Sequence, residues 1–299
     1  MFRISAAVVI LLGAVSQAQA EEYSKSYSVS GRPTVHVHVD DSGLRVITSD
    51  TRQVDFNVKR EGTSGLELGR GLKINSQQDG DHVELSVLHQ PGVAIMFTEQ
   101  HLMTEVHMPR DADLQIETRD GSVDLAAVNG NVTIHSADGA INASQLTGKI
   151  EIQSADGAIM TDSLKGDVRL HSTDGAITVT HLDGQCDVTS TDGALRAEGR
   201  FDSLRLVSKD GSVVAKVAEG SRMTSAWSIR TVDGSVDLLL PQSFQANINA
   251  STRDGHIRLA LPVTVQGEIS QSRIQGTLNG GGPELTLKST DGSIRLGSL

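Results

Sequence analysis

Cysteine is almost absent from this 299-residue chain: Cys186 stands alone, so no internal disulfide can form. Aromatic residues make up 3% of the sequence, and so few flat faces count against a groove that grips sugar rings. Cations are outnumbered, 26 Lys and Arg against 37 Asp and Glu, for a net charge of −11. A surface of that sign does not neutralise phosphates, which argues against nucleic acid as a partner. No later stretch has the roughly 20 apolar residues of a membrane-spanning helix, so no transmembrane segment is expected. No amphipathic helical pattern of convincing length occurs either, and G-x-S-x-G, H-E-x-x-H and phosphate-loop motifs are missing. The chain is read as all-β and non-enzymatic, with no cofactor.

What is present begins with a leader. Residues 1–20 carry Arg3, an apolar run from Ala6 to Val15, and Ala18-Gln19-Ala20 ahead of Glu21. That is the layout of a secretory signal peptide with its cleavage site. The expected mature chain starts at Glu21 and is exported, to the periplasm, the cell surface or the medium of a bacterium.

The dominant feature is a repeat. Nine times a Ser or Thr is followed two residues later by Asp-Gly, with the aspartates at 120, 138, 156, 174, 192, 210, 233, 254 and 291. The first five intervals are all 18 residues. The segments VTIHSADGAINA (132–143), IEIQSADGAIMT (150–161), VRLHSTDGAITV (168–179) and CDVTSTDGALRA (186–197) show the unit. Apolar residues alternate with polar ones on both sides of each Asp-Gly, the mark of two short strands joined by a turn. The expected turn pairs are Asp120-Gly121, Asp138-Gly139, Asp156-Gly157, Asp174-Gly175 and Asp192-Gly193, with Gly supplying positive φ. A second Gly bend at 130, 148, 166 and 184 closes each unit.

Recurrence of one residue type in one slot predicts a β-solenoid of stacked two-strand coils, about 18 residues each. An antiparallel meander is the alternative. Residues 111–299 form the expected repeat domain, regular over 118–215 and irregular over 216–299. Residues 21–110 alternate less regularly, with Gly62–Gly71 as a loop, and are read as a β-rich cap or lead-in. Because the chain stops five residues past Ile294, its last coil is expected to be uncovered. An open backbone edge there would invite self-association.

Each tempting constellation has a plainer reading. Asp138, Asp156, Asp174, Asp192 and Asp210 would form a carboxylate ladder with a spacing of roughly 4.8 Å, a weak candidate for Ca²⁺. Asp is also what a turn selects. His36 and His38 share a strand face, with His101 and His107 as conceivable third ligands, but solvent-facing strand histidines serve equally well. Trp227 occupies the slot that Val132, Ile150 and Cys186 fill elsewhere; it reads as core, yet it is the aromatic to test as a ligand platform. Cys186 reads as a small buried hydrophobe.

The units TRDGSVDL (118–125), TVDGSVDL (231–238) and TRDGHIRL (252–259), with Met108-Pro109, Leu240-Pro241 and SGLRVI (42–47), carry a family resemblance. The chain resembles a bacterial family of exported β-rich proteins provisionally described as adhesins, related to the head of auto-transporter adhesins. That resemblance implies a β-solenoid at the cell envelope and no catalytic residues. The expected function is an envelope interaction scaffold whose partner is an envelope protein or polysaccharide. A polysaccharide-acting or glycan-binding protein, and a calcium-stabilised structural protein, are the alternatives.

Overall fold

The computed structural model describes residues 22–61, 72–89, 101–265 and 270–299. The leader at 1–20 and the loop read at Gly62–Gly71 lie outside the described residues. Within them there is strand, bend and turn but no helix.

In chain order the strands begin with β1 (Glu22–Ser28), β2 (Thr34–Val39), β3 (Gly43–Ser49), β4 (Gln53–Glu61), β5 (Leu72–Asp79), β6 (His82–His89) and β7 (His101–Pro109). The regular repeats hold β8 (Asp113–Thr118), β9 (Val123–Ala126), β10 (Val132–Ser136), β11 (Ile141–Ser144), β12 (Thr147–Ser154), β13 (Ile159–Asp162) and β14 (Lys165–Ser172). Two long strands follow, β15 (Ile177–Ser190) and β16 (Leu195–Ser208), then β17 (Val213–Val217), β18 (Trp227–Arg230) and β19 (Val236–Leu240). The rest are β20 (Ala246–Ser251), β21 (Ile257–Leu259), β22 (Val263–Val265), β23 (Arg273–Leu278), β24 (Glu284–Lys288) and β25 (Ile294–Ser298).

Strands of successive repeats lie side by side and parallel. Val132 pairs with Ile150, Ile150 with Val168, and Val168 with Cys186. Across the turn, Ile141 pairs with Ile159 and Ile159 with Ile177. Parallel register rules out the meander. The result is a solenoid-like stack with two strand faces whose inward residues make a continuous apolar core. Ile134, Ile141, Ile150, Ile152 and Ile159 are fully buried, each contributing about 1.5–3 kcal/mol of burial free energy.

The Asp-Gly turns are held differently from the expectation. None of the nine turn glycines has positive φ. They are glycine because the coils touch there: a Cβ on Gly157 would overlap the carbonyl oxygen of Gly139, one on Gly175 that of Gly157, and one on Gly193 that of Gly175. In several units a buried Ser secures the turn. Ser172, Ser190 and Ser208 accept the amide N–H of Gly175, Gly193 and Gly211 at 2.9, 3.0 and 2.9 Å. Left-handed backbone sits instead at the other corner, on Ala127, Gln145, Ser163 and His181, with φ of 59°, 55°, 57° and 51°.

Spatial order departs from chain order at both ends. On the first face β2 lies between β6 and β8; on the second β3 lies between β7 and β9. Antiparallel strands continue the sheet beyond, β5 on β6 and β4 then β1 on β7. At the far end β24 is inserted between β18 and β20, and β25 between β19 and β21. This corrects the expectation of an uncovered C-terminal coil. The strands nearest Leu299 are paired on both edges, so self-association through their open edge has no basis. The outer coil is β20 and β21, with antiparallel β23 and β22 continuing beyond β20.

Two substitutions test this account in opposite directions. Gly175→Ala should lower stability by about 3 kcal/mol, since the added carbon overpacks against backbone that cannot move alone. Ala127→Gly should raise it by about 1 kcal/mol by relieving the left-handed strain. Urea unfolding of both variants measures the difference, and equal effects would overturn the assignment of the two corners.

Candidate functional site

The Asp-Gly corner presents its carboxylates to water: Asp138, Asp156, Asp174, Asp192 and Asp210 are all exposed. Their mutual proximity is felt. Loss of water, and then the neighbouring Asp210 carboxylate, pushes Asp192 up, whereas the Lys209 ammonium draws Asp210 down. Lys209 lies 3.1 Å from Asp210 and offsets part of the repulsion. Among the described residues no three His, Cys, Asp or Glu side chains converge as metal ligands.

The other sequence candidates separate. His36 packs edge-on against His82, ring centroids 4.5 Å apart, and burial followed by His82 lowers its pKa. His38 turns to Glu117 at 3.8 Å, so the two histidines read as a shared metal pair point to different neighbours. His107 lies across the stack on β7, and the side chain of His101 is outside the described residues. Trp227 is wholly buried, 5.3 Å from Phe244 and edge-on to Phe201 at 6.3 Å. Its ring faces the core, which removes it as a ligand platform. Cys186 is also buried, and burial pushes its thiol up to about 12, leaving it unreactive.

What the structure does assemble is a groove on the outer side of the second face. Strand β3 pairs with β9 only from Leu44 to Val46, then stays with β7 through Ser49. The β3–β9 pairing ends there because β9 ends one residue later, at Ala126, while β3 runs on. Small side chains, Ala126, Ala127 and Ser144, leave the gap unfilled, and a groove of about 700 Å³ results. Ile47 and Met160 flank it, 37% and 49% exposed, two of only four large hydrophobic residues so exposed among the described residues. Exposed apolar side chains gathered at one concavity mark an interaction site rather than random surface.

Polar groups at the rim are already matched. Thr48 Oγ1 donates to the Ala127 carbonyl at 2.8 Å, closing the gap at its base, and Asn142 donates to Asp124 at 3.0 Å. Asp162 accepts from Thr180 Oγ1 and His181 Nδ1, both at 2.7 Å, and from Ser163 at 2.9 Å. These bonds, His181 foremost, hold the Asp162 carboxyl down at about 2, and the same contact raises His181. Among the described residues no nucleophile is bonded to that histidine, and the pair orders a corner of the stack.

Sequence reasoning missed this groove, although two signals exist. Met160 stands in an outward slot held by Asn142 and Thr178 in sister strands, and Val46-Ile47 breaks the alternation of β3. A second hollow, about 470 Å³, lies where three loops meet around Gly220, Ser243 and Gly282. There Asn279 donates to the Gln242 and Phe244 carbonyls at 2.7 and 2.9 Å.

The family described as Toastrack DUF4097 matches residues 34–226 and 201–297. A Parabacteroides merdae protein provisionally named an adhesin is similar at 10% identity over 92% of this chain and 96% of its own, with a TM-score of 0.52. A Parabacteroides distasonis protein provisionally named lipid-binding is similar at 11% identity over the same shares, 92% and 96%, with a TM-score of 0.47. A Clostridium sporogenes protein provisionally named for cell adhesion reaches 13% identity over 94% of this chain and 100% of its own, with a TM-score of 0.28. At these identities the first shows the fold and nothing finer. No curated protein matches the chain.

Two measurements follow. His181 has a raised folded pKa, so its share of stability is present below its ordinary 6.5 and is lost as pH rises through the raised value. The share from Asp162 is present above its ordinary 3.8 and is lost as pH falls towards 2. His181→Ala should therefore lower the melting temperature at pH 5.5 and leave it nearly unchanged at pH 9. Equal losses at both would sink the ion pair. In a separate scan, Ca²⁺ in place of EDTA should leave the melting temperature unmoved, whereas a rise of several degrees would restore the Asp ladder as a cation site.

Proposed function

This chain belongs to the Toastrack DUF4097 family, and on that footing we propose that it is an exported, non-enzymatic envelope protein that binds a protein partner. In this reading residues 21–110 cap a stack of two-strand coils, about 18 residues each, that continues over 111–299. The stack is a rigid scaffold, and the groove beside Ile47 and Met160 is where it is used. The observation that carries this is the recess beyond the last β3–β9 pair, where two of the four exposed large hydrophobic residues among the described ones lie.

Protein is favoured over polysaccharide by the chemistry of the recess. Ala126, Ala127, Ile47 and Met160 give it apolar surface suited to apolar side chains, and Arg45, Asp124, Asn142 and Asp162 add polar groups around them. Sugars are commonly gripped by aromatic platforms, and no aromatic residue lines the recess. The leader, read as a signal peptide, supports export, and the provisional adhesin naming of the merdae relative is consistent with a surface role.

The test is a pull-down with labelled residues 21–299 against separated envelope protein, envelope polysaccharide and whole cells. Saturable retention on the protein fraction, lost in Ala126→Trp, is expected; that variant fills the recess from an outward slot. Retention on polysaccharide alone, or retention indifferent to Ala126→Trp, would overturn the reading. Circular dichroism melting of the variant separates a blocked groove from a damaged fold.

A further inference from the structure

The inserted coil at the far end has a property separate from the groove. Residues 284–298 fill a slot whose two walls, β18 with β19 and β20 with β21, come earlier in the chain. The slot is specific. Leu285, Leu287, Ile294 and Leu296 enter it with no exposure. Ser289 donates to the Gly234 carbonyl at 2.9 Å on one wall, and Thr252 donates to the Gly292 carbonyl at 2.8 Å from the other. Gly292 also fits its place in the stack, since a Cβ there would overlap the carbonyl oxygen of Gly234.

The chain reaches this slot over a hinge. Strand β23 lies on the outer edge of β20 and β24 on its inner edge. Residues 279–283 must therefore step across the start of β20. Asn279, Gly280 and Gly281 make the step with φ of 49°, 87° and 84°. Asn247 fastens it, its side-chain amide donating to the Gly282 carbonyl and its backbone N–H to the Pro283 carbonyl. A short glycine hinge leading to a segment paired on both edges is the arrangement in which two copies can trade segments. Every contact inside the slot is then remade unchanged, and only the hinge differs.

We propose that this slot accepts residues 284–298 from a second copy of the chain, so that the protein forms strand-exchanged dimers. The partner is recognised by the apolar pair on each strand and by the Ser-x-Asp-Gly turn between them, which locks into the glycine stack. Length of the hinge sets the balance: 279–283 is long enough to step over β20 within one chain, and a shorter link can only reach the slot of a neighbour.

Asn249 and Thr286 are register partners on outward, half-buried positions of β20 and β24, and Cys186 is buried. The full chain carrying Asn249→Cys and Thr286→Cys is refolded at a series of concentrations, oxidised and run on a non-reducing gel. A closed monomer gives an internal disulfide, whereas exchange gives a covalent dimer. Dimer rising with concentration is expected, and deletion of Gly280–Gly282 should raise its share at least tenfold. Monomer alone at every concentration with the native hinge would overturn the proposal, whether or not the deleted form folds.

Discussion

Contact between glycines at the Asp-Gly corner is the constraint on which the rest of the stack depends. Eight of the nine turn glycines lie against the carbonyl oxygen of the neighbouring turn glycine in the stack, and Gly121 against that of Ser42, closer than any side chain allows. That contact fixes the approach of neighbouring coils and keeps both strand faces in register. Once register is fixed, each apolar slot falls above the equivalent slot of the preceding coil, and the core becomes a set of columns. At Gly175, Gly193, Gly211 and Gly292 the serine beneath the turn completes the arrangement, because a buried amide without a partner would cost about 1–3 kcal/mol.

Much of this was legible in the residues because stacking in register demands the same residue at the same place. Val132, Ile150, Val168 and Cys186 occupy one column, and their spacing announced it. Trp227 in the equivalent slot was readable as core for the same reason, and it is buried. The reason for the glycines was not readable, since positive φ and close approach select the same residue. Only the backbone angles tell them apart.

Two features were hidden for a deeper cause. The unit at 284–296 has the same alternation and the same turn as its sisters, so nothing local says which neighbours it takes. Its place is decided by where the walls and the hinge leave a vacancy. The groove was hidden likewise, because Ile47 and Met160 are remote in sequence and line one recess only because β9 and β11 bring β3 and β13 onto one face. Repeats advertise what they share, and a binding recess comes from where the sharing stops.

The interleaved order at the two ends also has a mechanical consequence. A solenoid whose first and last coils were its outermost ones would peel under tension, one hydrogen bond at a time. Here β25 is gripped between β19 and β21, and β2 between β6 and β8. Tension applied through the residues after β25 must slide that strand past two parallel neighbours, loading both ladders in shear. Rupture at this end then requires many bonds to fail together, whereas β1, paired only with β4, is left to peel from the other.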